Sequence, residues 1–174
     1  MAYGIIMYVG FIFSGTYLGY CVGVAPIVGY HYGAANTAEL KNLFKKSLFL
    51  LTSAAVVLTA CAELLSSVLA GIFVGYNQDL HDMTTNAIQL FALSYIISGI
   101  NIFASAFFTA LNNGLVSAVI SFMRTLVFQI AFIFILPELL GLNGIWLAVV
   151  GAEICSLIIS VSFFVANRKK YKYV

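Results

Sequence analysis

Three charged side chains, Glu63, Arg124 and Glu153, stand alone in otherwise apolar stretches. Glu63 lies toward one end of its stretch, where it can snorkel to the membrane interface, which leaves Arg124 and Glu153 as the informative ones. An arginine and a carboxylate in such surroundings can do two kinds of chemistry. They can neutralise each other as a structural pair, or the carboxylate can serve an ion or substrate relay, taking up and releasing a proton or a cation beside the guanidinium. Small polar residues gather near them at helical spacing. Ser94, Ser98, Asn101 and Ser105 form one set, with Thr109 beyond. Ser117 and Ser121 precede Arg124, and Ser156 and Ser160 follow Glu153. Steps of three and four residues put each set on one helix face. A polar face of this kind either hydrogen-bonds to neighbouring helices or lines a watery cavity, and for Ser94, Ser98, Asn101 and Ser105 both readings stand.

No catalytic constellation accompanies them. The sequence has no nucleotide-binding glycine loop, no zinc-ligand spacing and no serine-nucleophile elbow, so no enzyme activity is expected. His31 and His81 are too isolated to suggest a metal. Cys21, Cys61 and Cys155 each lie inside an apolar run without redox spacing and read as small packing residues. No metal and no cofactor are expected.

The elements that must position these residues follow from composition. Of 174 residues, 63% are hydrophobic and 8% charged, with a mean hydropathy of +1.06. A soluble domain carries roughly 25% charged residues to keep its surface wet. A lipid-facing surface needs no such cover. The expected fold is therefore an all-α membrane protein with about five transmembrane helices, its first partner the lipid bilayer. The spans fall at roughly 5–28, 47–72, 87–110, 116–136 and 145–166, forming a single transmembrane domain over 1–174. The uncharged run from Met83 to Met123 would make one helix roughly 60 Å long, about twice the hydrocarbon thickness, so it must turn. Asn112-Asn113-Gly114 is the place, because Asn and Gly tolerate left-handed turn geometry. Leu136-Pro137-Glu138 is expected to end the fourth span. Loops are expected from His31 to Lys46 and from Gly75 to Asn86.

Within the first span, Gly15, Gly19 and Gly23 recur every four residues, which suits close helix packing. Pro26 reads as a hinge or as the helix end. Basic residues form two clusters, Lys41, Lys45 and Lys46, then Arg168, Lys169, Lys170 and Lys172. Both abut apolar runs, so they read as membrane-flanking charge rather than a nucleic-acid surface. The positive-inside rule puts both clusters, and the C-terminus, in the cytoplasm of a multi-pass cell-membrane protein. Five spans then place the N-terminus outside, with no charge to drive it there. The simplest repair is an additional preceding span, which would make the chain the C-terminal piece of something longer; the alternative is a genuine five-span protein with its N-terminus outside. With this topology Arg124 and Glu153 lie roughly 12 and 13 Å from opposite ends of consecutive antiparallel spans. In a core ~30 Å thick their depths differ by only about 5 Å, so they can meet.

Several stretches together resemble the multidrug and toxic compound extrusion (MATE) transporters. They are Ala25-Pro26-Ile27-Val28-Gly29-Tyr30-His31-Tyr32-Gly33-Ala34 with Asn36 and Glu39-Leu40-Lys41, the run from Asn101 to Gly114, Arg124-Thr125-Leu126-Val127-Phe128-Gln129, and Gly144-Ile145-Trp146-Leu147-Ala148 with Glu153 after. The resemblance covers essentially the whole chain, in the family's order. It implies a twelve-helix fold of two six-helix lobes, of which this chain would supply the eighth to twelfth helices as a partial C-terminal lobe. It implies efflux of small cationic or amphipathic solutes, driven by H⁺ or Na⁺ as coupling ion, from a cavity between the lobes. The seventh span and the whole N-terminal lobe would have to come from elsewhere, and alone the chain is expected to be inactive. Some family members use an acidic residue in the tenth span, and the corresponding third span here has none. Members lacking it place coupling on an Asp in the N-terminal lobe, outside this chain, so Glu153 is the best acidic candidate remaining within it. Two other readings remain: a lipid-linked sugar flippase of the same superfamily, and a non-transporting membrane scaffold or partner subunit.

Overall fold

The computed structural model describes residues 2–174. The described chain is helix almost throughout: α1 (Ala2–Gly33), α2 (Thr37–Val74), α3 (Gln78–Ala110), α4 (Gly114–Phe122), a π-helical stretch (Met123–Phe128), α5 (Gln129–Leu140) and α6 (Leu142–Tyr171). α4, the π stretch and α5 run on as one rod, Gly114–Leu140, so five rods are long and apolar enough to cross a bilayer. α3 is the central one, packing against α1, α2, α4 and α6.

The rods are longer than the apolar spans because the expected loops are almost absent. Residues 34–36 replace the loop expected from His31 to Lys46. Asn36 caps α2 by accepting from the Glu39 N–H at 3.2 Å, and Ala35 takes the turn at a positive φ of 53°. Lys41, Lys45 and Lys46 are therefore on the first turns of α2, not on a loop. Asn77 likewise caps α3 through the Leu80 N–H at 3.0 Å, so most of the expected 75–86 loop is helical. Each cap satisfies an orphan N–H that a helix end would otherwise leave without a partner. The turn between α3 and α4 sits at Asn112, with φ of 57°, and Asn113 caps α4.

Neither proline ends a helix, which corrects the helix-end reading of Pro26 and of Pro137. α1 continues through Pro26 to Gly33, and α5 continues through Pro137 to Leu140. A proline removes one backbone hydrogen bond. In lipid the rest of the backbone still has no partner but its own helix, so the helix persists past the break. The chain reverses after α5 on Gly141 alone, at φ of 59°. The reversal is so tight that a Cβ at Gly144 would overlap the Leu136 carbonyl oxygen, and only glycine fits there.

Gly15, Gly19 and Gly23 meet no other helix of this chain. No atom lies within 4 Å of where a Cβ would sit on any of them, so this face of α1 packs against nothing among the described residues. The close approaches occur at other glycines. A Cβ on Gly99 would come within 3.0 Å of the Tyr17 ring, and one on Gly151 within 2.9 Å of the Phe132 ring.

Two apolar clusters hold the rods together. At one end Ile5, Ile6, Val74, Ala87, Ile88 and Trp146 pack between α1, α2, α3 and α6. At the other, Phe44, Phe103, Phe107, Phe108 and Phe164 surround Tyr173, which is fully buried. Lys172 adopts a left-handed conformation at the end of α6, turning the tail back so that the Tyr173 hydroxyl donates to the Phe164 carbonyl at 2.8 Å. The Tyr173 ring lies 4.9 Å from that of Phe44 and 5.1 Å from that of Phe107. Burial, with Tyr171 alongside, raises the pKa of the Tyr173 phenol. Outward-facing positions such as Phe49, Leu64, Ile72, Phe134 and Ile158 are apolar and exposed, as a lipid-facing surface requires.

Candidate functional site

Arg124 sits on the π-helical stretch and Glu153 in the middle of α6. The guanidinium clasps the carboxylate with two nitrogens. Arg124 Nε donates to Glu153 Oε1 and Oε2 at 2.9 and 3.1 Å, and Arg124 Nη2 lies 2.7 Å from Oε1. The carboxylate side chain is 7% exposed and the arginine side chain 23%. α3 contributes the third member. Asn101 Nδ2 donates to Glu153 Oε2 at 2.7 Å and to the Glu153 backbone carbonyl at 3.0 Å. Ser160, two turns further along α6, donates to Asn101 Oδ1 at 2.9 Å. The carboxylate, a charge that is costly in hydrocarbon, is thus met by a cation and an amide donor.

The serine sets extend this network. Ser105 Oγ lies 2.9 Å from Ser117 Oγ and 2.7 Å from Ser121 Oγ, and Thr109 Oγ1 lies 2.7 Å from Ser117 Oγ, tying α3 to α4. Ser94 and Ser98 instead bond within α3, to the carbonyls of Phe91 and Tyr95. Ser156, one turn from Glu153, is buried with no hydrogen-bond partner for its hydroxyl.

Arg124 also borders two cavities. One, of about 180 Å³, is lined by Ser14, Ser94, Tyr95, Ser98 and Gln129, with Arg124 and Glu153. The other, of about 200 Å³, takes Asn101, Ser105, Ser121 and Arg124. Glue and cavity lining are therefore not alternatives for the α3 stripe. Ser94 and Ser98 line the first cavity, Asn101 and Ser105 the second, and Asn101 and Ser105 also bind the neighbouring helices. Each cavity is smaller than the ~300–1,000 Å³ of a typical ligand pocket. Each has room for water, an ion or one end of a solute.

The sequence pattern did not single out Gln129 or Tyr95 as lining residues, nor Asn101 as a partner of Glu153. Arg124 and Gln129 are five residues apart. In an α-helix that spacing separates them, but the wider π turn brings them to one face. Nothing in α-helical periodicity signals this.

The MatE family model matches residues 2–135. The chain belongs to this family. MATE proteins are transporters, and three solved MATE structures carry the same fold. One is described as the outward-facing conformation of a multidrug resistance MATE family transporter of the MOP superfamily, with a TM-score of 0.90 and 18% identity over 99% of this chain. The crystal structure of a MATE protein in complex with MaL6 gives 0.89 at 17% identity over 99% of this chain. An inward-facing conformation of a multidrug resistance MATE family transporter of the MOP superfamily gives 0.85 at 22% identity over 98%. The chain spans 39% of the length of each of these structures. A search of the curated proteins finds no match.

Proposed function

We propose that this chain is one partial lobe of a MATE exporter in the cell membrane, with the ends of α1 and α6 on the cytoplasmic side. Combined with a complementary N-terminal lobe and seventh span, it exports small cationic or amphipathic solutes in exchange for H⁺ or Na⁺. The observation that carries this reading is the buried Arg124–Glu153–Asn101 network beside two cavities in a membrane chain of a transporter family. A purely structural bundle could fill that space with apolar side chains at lower desolvation cost. Likeness to both an outward-facing and an inward-facing structure supports a unit that keeps its internal packing while access alternates.

Glu153 is the carboxylate best placed to exchange a coupling ion. An arriving H⁺ or Na⁺ competes with Arg124 for Oε1 and Oε2, and the freed guanidinium turns toward the cavities. The test is expression in an efflux-deficient bacterial strain. Co-expressed with the N-terminal lobe and seventh span of a MATE transporter, the chain should lower accumulation of a cationic dye, and Glu153→Gln should abolish that effect. Unchanged accumulation with a correctly inserted pair of lobes would reject the reading.

A further inference from the structure

Seven basic side chains flank the membrane spans, and four of them converge on one cavity. Where α2 begins and α6 ends, a cavity of about 440 Å³ is lined by Thr37, Lys41, Arg168, Lys169, Lys172 and Val174. No acidic side chain lines it, and none of the four cations has an ion-pair partner among the described residues. Some of this charge offsets the negative end of the α6 dipole, but that end carries only about half an elementary charge. Thr37 is the first residue of α2, whose N-terminal end adds positive potential of its own. The terminal carboxylate of Val174 also reaches the cavity but pairs with none of the four cations among the described residues, so the cavity keeps a surplus of positive charge that a further acceptor would meet.

Its position says what that acceptor is attached to. Arg168 and Lys169 stand one turn beyond Val165, which follows Val161 and Ile158 along the same stripe of α6. These three are 54%, 47% and 63% exposed and face where lipid would be. A basic cavity thus sits at the head of an exposed apolar stripe. We propose that this cavity binds the phosphate headgroup of an anionic membrane lipid, with an acyl chain lying along Val165, Val161 and Ile158. The lipid would pin the start of α2 to the end of α6, the two elements that the Tyr173 aromatic cluster already joins.

The experiment uses the full chain in neutral detergent at physiological salt, with retained lipid read by native mass spectrometry. Phosphatidylglycerol should be retained in preference to phosphatidylcholine. Each basic residue contributes roughly fivefold to anionic-lipid attraction, so Lys41→Glu/Lys169→Glu should weaken retention by about tenfold or more. Lys45→Glu/Lys46→Glu carries the same charge change on side chains that do not line the cavity and should cost several-fold less, since it removes no direct contact and acts only through a partly screened field. Lys41→Gln/Lys169→Gln, checked for helix content, gives the same ordering without introduced negative charge if the glutamate pair fails to fold. Equal losses from the two glutamate pairs would mean diffuse surface attraction and overturn the proposal. So would equal retention of the two lipids, or displacement of phosphatidylglycerol by inorganic phosphate at equal concentration, which would make this a free-anion site.

Discussion

Removing Glu153 alone should cost the fold more than removing Glu153 and Arg124 together. The structure supplies the terms. In Glu153→Ala, the Arg124 guanidinium loses three contacts of 2.7–3.1 Å, while Asn101 keeps the residue-153 carbonyl and Ser160. Arg124 is 23% exposed and can turn partly into the adjoining cavities, which holds the loss near the lower end of the ~3–5 kcal/mol for breaking a buried pair. In Arg124→Ala the carboxylate, 7% exposed, keeps only Asn101, and the loss lies near the upper end. At 2–4 °C per kcal/mol for a chain of this size, the single variants should unfold roughly 6–20 °C lower. Arg124→Met/Glu153→Gln leaves no lone charge and should recover at least half of that. Thermal unfolding in detergent, run as a double-mutant cycle whose single variants are Arg124→Met and Glu153→Gln, measures the coupling. Additivity within ~0.5 kcal/mol would refute the reasoning, because independent sites behave that way.

Other outcomes follow from the packing. Tyr173→Ala should destabilise by ~3–5 kcal/mol, as loss of a buried ring does, and Tyr173→Phe by ~1 kcal/mol for its single hydrogen bond to Phe164; thermal unfolding distinguishes them. Gly144→Ala should be destabilising by ~1–3 kcal/mol or more, since the new methyl meets the Leu136 backbone rather than a flexible side chain. Gly19→Ala should instead raise the unfolding temperature of this chain, because no atom opposes a Cβ there and alanine is favoured in a helix by ~0.8–1 kcal/mol. For topology, single cysteines at Lys45 and Lys172, in a chain freed of its own three, should resist an impermeant thiol reagent in intact cells. A cysteine at Asp79 should react, and equal labelling at all three would reject the orientation.

Much of the fold was legible because lipid imposes few solutions. Apolar runs must be helices, and Asn112-Asn113-Gly114 has to break a run too long for one span. The meeting of Arg124 and Glu153 could be anticipated from depth alone, since a fixed rise per residue converts sequence position into height. Rotation about each helix axis was not legible. Spacing showed that Gly15, Gly19 and Gly23 share a face, but not that the face would be open. Asn101 was assigned to a polar stripe, yet its bond to Glu153 depends on how α3 and α6 face each other. The π stretch carries no proline or glycine to announce it, so Gln129 stayed hidden beside Arg124. Pro26 and Pro137 misled because the usual breaking rule assumes water is available to the freed carbonyl. The Tyr171-Lys172-Tyr173 tail reads as polar and basic, while the left-handed turn at Lys172 buries Tyr173 in the aromatic cluster.

The most direct measurement is ion-gradient-driven solute uptake into liposomes of reversed orientation. The purified chain would be assayed alone, with a complementary MATE segment comprising the N-terminal lobe and seventh span, and with that segment and Glu153→Gln. Expected are no transport by the chain alone, gradient-dependent transport by the pair, and none by the Glu153→Gln pair. Gradient-dependent transport by the chain alone, or an undiminished rate in the Glu153→Gln pair, would contradict a lobe whose buried carboxylate couples export to the ion gradient.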